Sequence, residues 1–410
     1  MRYKAWWVAG AIVVAIAATL VLAGRGDAAS MQPAAPLLGA AGPQFFGQLG
    51  VGVGVGADLA AVTPSARTAR LQELQQNFEL VDQTYCNYQA GTKYPEASRP
   101  VSEHPDQIYP NEPVTEAHAM RTGGNGTDAG VQIQTSQSRV FMASGEAVAF
   151  SLRAVDTAGK PMALVVTRAA AQGMTFKGTR PTTQIAIAFG DDGKGADALA
   201  GDGAFGAILA PAQTGLAGFN GTIRTEVRYT VNGKSGFVLF DVIYTPELPA
   251  VWTGQVREGV EEGSLVFYLK ADIRTAGRYI VHGRVDDAKG KPFALATFND
   301  LLPAGPTEVK LTVFGKLMRD KEAAMPLTLR DVDGFLLKEN VDPDRALMPR
   351  LEGKVLVGKA HPLKTFSDAE WQSEERTRHL VEFSKDVALA QGAISRFDPA
   401  LPVPKSACAP

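Results

Sequence analysis

The chain has 410 residues, 45% of them apolar and 20% charged, with 42 Gly and 25 Pro, enough for two or three folded units. Lys plus Arg number 41 against 43 Asp plus Glu, a net charge of -2, which excludes both a globally basic nucleic-acid binder and an acidic disordered chain. With two Cys and five His there is no Cys-x-x-Cys and no His-Glu-x-x-His, so the common zinc and thiol-redox frameworks are absent.

Arg2 and Lys4 precede an uncharged run over residues 5–23, close to the roughly 20 residues a spanning helix needs. Trp6 and Trp7 open that run, where amphipathic rings favour the membrane interface. The flanking charges predict the N-terminus inside and the remainder exported. Residues 1–23 read either as a signal anchor or as a signal peptide cleaved after Val21-Leu22-Ala23, and the sequence leaves that choice open. The membrane is therefore an expected partner through this segment. The expected location is the periplasmic or extracellular face, tethered to the inner membrane or secreted after cleavage. Residues 24–64, with the run Gly50-Val51-Gly52-Val53-Gly54-Val55-Gly56, read as a flexible Ala/Gly/Pro-rich tether.

Residues 65–129 combine a helix with a Pro-rich extended segment. Leu71, Leu74, Phe78, Val81 and Tyr85 step by three and four and predict one apolar helix face over about 65–85. Prolines at 95, 100, 105, 110 and 113 then deny helix and inner strand alike. From about 130 the period becomes two. Val148, Phe150 and Leu152 alternate, and short apolar runs at 163–167, 185–189, 223–230 and 236–244 are parted by turn residues. Asn232-Gly233 is the pair a two-residue hairpin wants. These spacings predict an antiparallel sandwich over 130–247 and a second over 248–358. The tract from Leu152 to Leu164 matches that from Gly283 to Leu295 in its Val-Asp, Gly-Lys-Pro and Ala-Leu elements, which predicts a duplicated domain with equivalent hairpins. Convergent turn chemistry is the rival reading. Residues 359–410 return to helix and end in a Pro-rich tail. Ser367-Asp368-Ala369-Glu370 has the form of a capping box, with Trp371, Leu380, Phe383 and Val387 following at helical spacing.

The densest polar motif runs from Asp191 to Phe205. Asp191, Asp192, Asp197 and Asp202 lie within twelve residues among glycines, a set of hard oxygen donors of the kind Ca²⁺ takes. The competing reading is a turn, since Asp and Gly are default turn residues; there Phe205 packs into the first sandwich. The stretch Phe189-Gly-Asp-Asp-Gly, Asp197 and Ala200-Gly-Asp-Gly-Ala-Phe205 resembles the Asp-Asp-Gly…Asp…Ala-Gly-Asp-Gly-x-Tyr/Phe pattern of bacterial extracytoplasmic Ig-like domain proteins of the choice-of-anchor X type. Gly277-Arg-Tyr-Ile-Val-His-Gly-Arg-Val-Asp-Asp and Leu311-Thr-Val-Phe-Gly-Lys are similar to a companion Ig-like domain. The resemblance covers roughly 130–340. It implies a mainly β chain with two Ig-like sandwiches and transfers no catalytic residue; Phe205 stands where Tyr is commoner.

His282 sits on an expected strand near Asp286 and Asp287, where an ordinary sheet histidine outweighs a general base, and no Gly-x-Ser-x-Gly occurs. Cys86 and Cys408, both exported, are expected to pair, with free thiols as the alternative. The reading is an exported cell-envelope binding or structural module without a catalytic site, without nucleic acid, and with an envelope protein or a glycan as partner. Its rivals are an envelope hydrolase with an inter-domain site and a secretion or assembly accessory protein.

Overall fold

The computed structural model describes residues 64–122, 126–175 and 182–408. The expected anchor over 1–23 and most of the tether over 24–64 lie outside these residues. No helix among those described is long and apolar enough to cross a membrane.

The chain is mainly β with flanking helices. Helix α1 (Pro64–Gly91) opens on a proline, whose missing N–H and fixed φ suit a first helical turn. It buries Phe78 and Tyr85 and continues six residues beyond the expected end. The Pro-rich strap that follows is not wholly irregular. Its Ser98–Pro100 forms strand β1, pairing with Leu295 and its neighbours at a sheet edge, where a strand accepts proline.

The first β unit starts earlier than expected. Strands β2 (Val114–Arg121), β3 (Thr127–Gln137), β4 (Phe141–Ala143), β5 (Val148–Asp156), β6 (Pro161–Met162), β7 (Leu164–Gly173), β8 (Ile185–Ala186), β9 (Phe205–Leu209), β10 (Gly221–Val231) and β11 (Lys234–Thr245) form it. Past Pro113 nothing forbids a strand, and β2 pairs with β3 from Val114↔Gln137 onward. One sheet contains β2-β3-β5-β6 with β9 on β5, and the other runs β4-β11-β10-β7-β8. Most pairs are antiparallel as expected, but β4 lies parallel to β11. Between the sheets sits one core, including Ile133, Phe150, Leu152, Val227, Tyr229 and Val242. Asn232 and Gly233 turn the β10–β11 hairpin with φ of +51° and +75°, as the Asn-Gly pair predicts.

The second unit holds β12 (Ala250–Glu261), β13 (Ser264–Ile273), β14 (Gly277–Asp286), β15 (Pro292–Leu302), β16 (Gly305–Val313), β17 (Thr328–Leu337), β18 (Arg345–Leu347) and β19 (Leu351–Val357), with the short helix α2 (Gly315–Asp320). Its sheets are β12-β13-β16 and β1-β15-β14-β17-β18, with β19 on β17. A separate core lies between them, around Phe267, Leu269, Tyr279, Val281, Leu311 and Leu329.

Helix α3 (Glu374–Phe397) packs on α1, burying Val387, Ala390 and Ile394 against Phe78 and Tyr85. It starts later than the Ser367 motif suggests. Ser373 is the N-cap, accepting from Arg376 N at 3.0 Å. Glu370 is drawn off to the Arg376 guanidinium at 2.6 Å, and Ser367 accepts from Ala369 N at 3.1 Å instead. Trp371 precedes the helix, its N–H bonded to the Lys93 carbonyl. Cys86 of α1 is bonded to Cys408 of the tail, with Cα atoms 5.3 Å apart.

Candidate functional site

The aspartate loop connects β8 to β9 on the first unit. Asp191 organises its far end: Oδ1 accepts from Gly201 N (2.6 Å) and Asp202 N (3.2 Å), and Oδ2 accepts from Gly203 N (3.0 Å). Asp197, only 6% exposed, accepts from Gly193 N at 2.5 Å and Leu199 N at 3.3 Å. Gly206 is required beneath it, because a Cβ there would stand 2.5 Å from Asp197 N and 2.6 Å from the Ala196 carbonyl carbon. Phe205 packs against the first core, as the turn reading requires.

Three of the four expected aspartates converge. One oxygen from each of Asp191, Asp197 and Asp202 falls within 4.8 Å of the others. Asp192 is not part of that group; its Oδ1 accepts from Lys194 N at 3.1 Å in a turn of its own. The loop thus uses its carboxylates first as acceptors for its own amides, the local chemistry Asp offers in turns. The same three oxygens are close enough together to share a Ca²⁺ ion, whose oxygen ligands sit at about 2.3–2.6 Å.

A second polar cluster, unforeseen from the sequence, centres on Arg284 in β14. It is 1% exposed. Its Nε donates to the Gln107 carbonyl at 2.9 Å, Nη2 to Gln107 Oε1 at 2.8 Å, and Nη1 to the Asp331 carbonyl at 2.9 Å and to Asp333. Beside it Arg330 donates to Asp286 (2.7 Å), Asp331 (2.6 Å) and the Ile108 carbonyl (2.9 Å). The two guanidiniums therefore fasten the strap at Gln107 and Ile108 onto the second unit. Burial pushes the Asp333 carboxyl up, but the neighbouring His282 ring and the Arg284 charge outweigh that and hold it below the usual carboxylate range. His282 Nδ1 lies 3.7 Å from Asp333, and no hydroxyl or thiol is bonded to the ring among the described residues. A sheet histidine beside a structural ion pair is the result, matching the plainer expectation. The one sequence signal for this cluster is an arginine within the apolar strand Tyr279–Val285; its partner at 107 is 177 residues away and has no local signature.

The two tracts that resemble each other form the same turn in different places. Asp156 Oδ1 accepts from Ala158 N (2.8 Å) and Lys160 N (2.9 Å); Asp287 Oδ1 accepts from Lys289 N (2.8 Å) and Lys291 N (2.9 Å). Asp287, not Asp286, is thus the counterpart of Asp156. In the first unit the turn returns the chain as β6 beside β5, and only after Met162 does it leave for β7 in the opposite sheet, whereas β15 continues beside β14. The expected equivalence of the hairpins holds through the turn and the Val155↔Pro161 and Asp286↔Pro292 pairs, and ends beyond them, because an Asx turn constrains only the residues it closes.

No family model matches the sequence, and no curated protein matches it either. Among solved structures, a DUF4785 family protein from Legionella pneumophila is similar at 12% identity and a TM-score of 0.37, over 55% of this chain and 57% of that one. The adhesin InvE of Yersinia pseudotuberculosis gives 10% and 0.17, over 53% and 58%. The alpha-2-macroglobulin of E. coli gives 14% and 0.24, over 58% and 15%. The chain spans less than two thirds of each of these proteins.

Proposed function

We propose that this is an exported protein of the cell envelope whose two β units are Ig-like sandwiches serving as a binding or structural module. The observation that carries the reading is the Cys86–Cys408 bond, a link that persists in oxidising compartments and is rare in the cytosol. The uncharged run over 5–23 supplies the route out, as anchor or as cleaved signal. Each unit is a pair of sheets around its own core, consistent with the resemblance to choice-of-anchor X type proteins. A binding role is favoured over hydrolysis because Asp333, the carboxylate nearest His282, is committed to the buried Arg284.

Cells treated with a membrane-permeant maleimide before lysis, then reduced, should yield protein with both cysteines protected, and a phosphatase fused after Pro410 should be active outside the cytoplasm. Two reactive thiols together with an inactive exported fusion would sink the reading.

A further inference from the structure

We propose that the cleft between the two β units binds a small hydroxyl-rich anion, a sugar acid or sugar phosphate. This deepens the binding-module reading and rests on it. The cleft measures about 750 Å³ and is walled by the connection 245–249 and by turns of both units. That volume is within the range of small-molecule sites, which favour domain junctions.

The walls are fixed in advance. Pro246 and Pro249 stiffen the connection. The Pro249 carbonyl accepts from Arg274 N (2.8 Å) and Thr275 N (3.0 Å), and the single proton of the Tyr279 hydroxyl serves either that carbonyl (2.9 Å) or the Thr275 carbonyl (2.6 Å). Tyr279 is fully buried, and burial pushes its hydroxyl up to about 12, so it remains a donor throughout the neutral range. At the other end of the connection, Thr245 lies in register with Ala143 of the first unit.

Two cations face this cleft without a carboxylate partner. Arg274 and Lys338 both line it, and neither side chain makes an ion pair or hydrogen bond among the described residues. Asp344, whose carboxyl Lys338 helps to hold low, is engaged by Arg345 at 2.9 Å. Glu247 also lines the cleft, so two cations face one carboxylate and an anion is favoured. Arginine in particular suits the planar recognition of carboxylate and phosphate. Asn220 and Thr275 offer donors and acceptors for hydroxyls. Thr245, 3% exposed, lines the same wall with a hydroxyl that has no partner among the described residues. No aromatic ring lines the cleft, which disfavours a nucleobase or a neutral sugar held by stacking.

The test is titration calorimetry of the full chain, at low salt, with glucuronate, glucose 6-phosphate and glucose. At least one anion should bind with a Kd of about 1 mM or tighter, and glucose at least about tenfold more weakly. Glucuronate alone points to a carboxylate ligand, glucose 6-phosphate alone to a phosphate. Arg274→Ala combined with Lys338→Ala should weaken the anion by about tenfold or more while leaving the thermal transition in place. The proposal is overturned if neither anion binds, if glucose binds as well as they do, or if the double variant binds like the parent. Loss of binding in a protein that is still exported removes this inference and leaves the envelope reading standing.

Discussion

Residues 152–164 and 283–295 share seven of thirteen residues, and the protein treats them alike through the turn and differently beyond it. Within each turn one aspartate accepts from the amides two and four residues on, and a glycine follows at φ of +82° or +73°. Outside it, Arg153 is exposed and donates to Gln134 at 2.6 Å, while Arg284, at the matching position, is buried beneath the strap. A turn is decided by the few residues it closes. The fate of a long side chain beside it is decided by which distant segment covers that face.

The largest expected effect tests that division directly. Arg284→Met leaves the Gln107 carbonyl and the partly exposed Asp333 without their partner, and should cost about 3 kcal/mol in urea unfolding. Arg153→Met should change stability by no more than about 0.5 kcal/mol. Comparable losses at the two positions would mean that the strap contributes little to the burial of Arg284. Acid should sharpen the contrast. Asp333 titrates below its unfolded value, so its contribution is present above about pH 4 and is lost as pH falls through the lower folded value. Unfolding curves between about pH 5 and 2 should show that loss in the parent and a smaller one in Arg284→Met.

The aspartate loop comes next. Asp191→Ala strips the acceptor from three amides at 201–203 and should cost about 1–3 kcal/mol. Excess chelator should leave the melting temperature of the parent unchanged if amides alone hold the loop. A rise with added Ca²⁺ that disappears in Asp191→Ala would show the three converging oxygens holding an ion. The smallest effects belong to the turns themselves. Asp156→Ala and Asp287→Ala should each cost about 1 kcal/mol and agree within about 0.5 kcal/mol, since the same bonds are lost. A clear inequality would show that the surrounding sheet, and not the turn, sets the value.

What could be read in advance follows the same line. The Asn232-Gly233 hairpin, the α1 face at Phe78 and Tyr85, and the packing of Phe205 depend on spacing within a few residues, and all are legible. Other features were settled by competition between distant groups. Ser367 has the form of a cap, yet Glu370 bonds more closely with the buried Arg376, so the helix waits for Ser373. Val114 to Arg121 carries little strand signal of its own and becomes β2 because β3 offers it an edge. Asp192 looks like its three neighbours in the loop, and only the path of the backbone sets it aside. At the strap, nothing near Gln107 announces an arginine 177 residues on.

The bond between Cys86 and Cys408 closes 322 residues into a covalent ring that contains both β units and the strap. Tension applied between the two ends of the chain therefore passes through sulfur and bypasses every sheet. Stretched as a single molecule in oxidising buffer, the protein should extend only by the segments outside the ring. With a reductant present, the units should yield one after another and release about 110 nm of further contour length. Under tension the folded part would stay slack, and reduction would act as the release that lets force reach it.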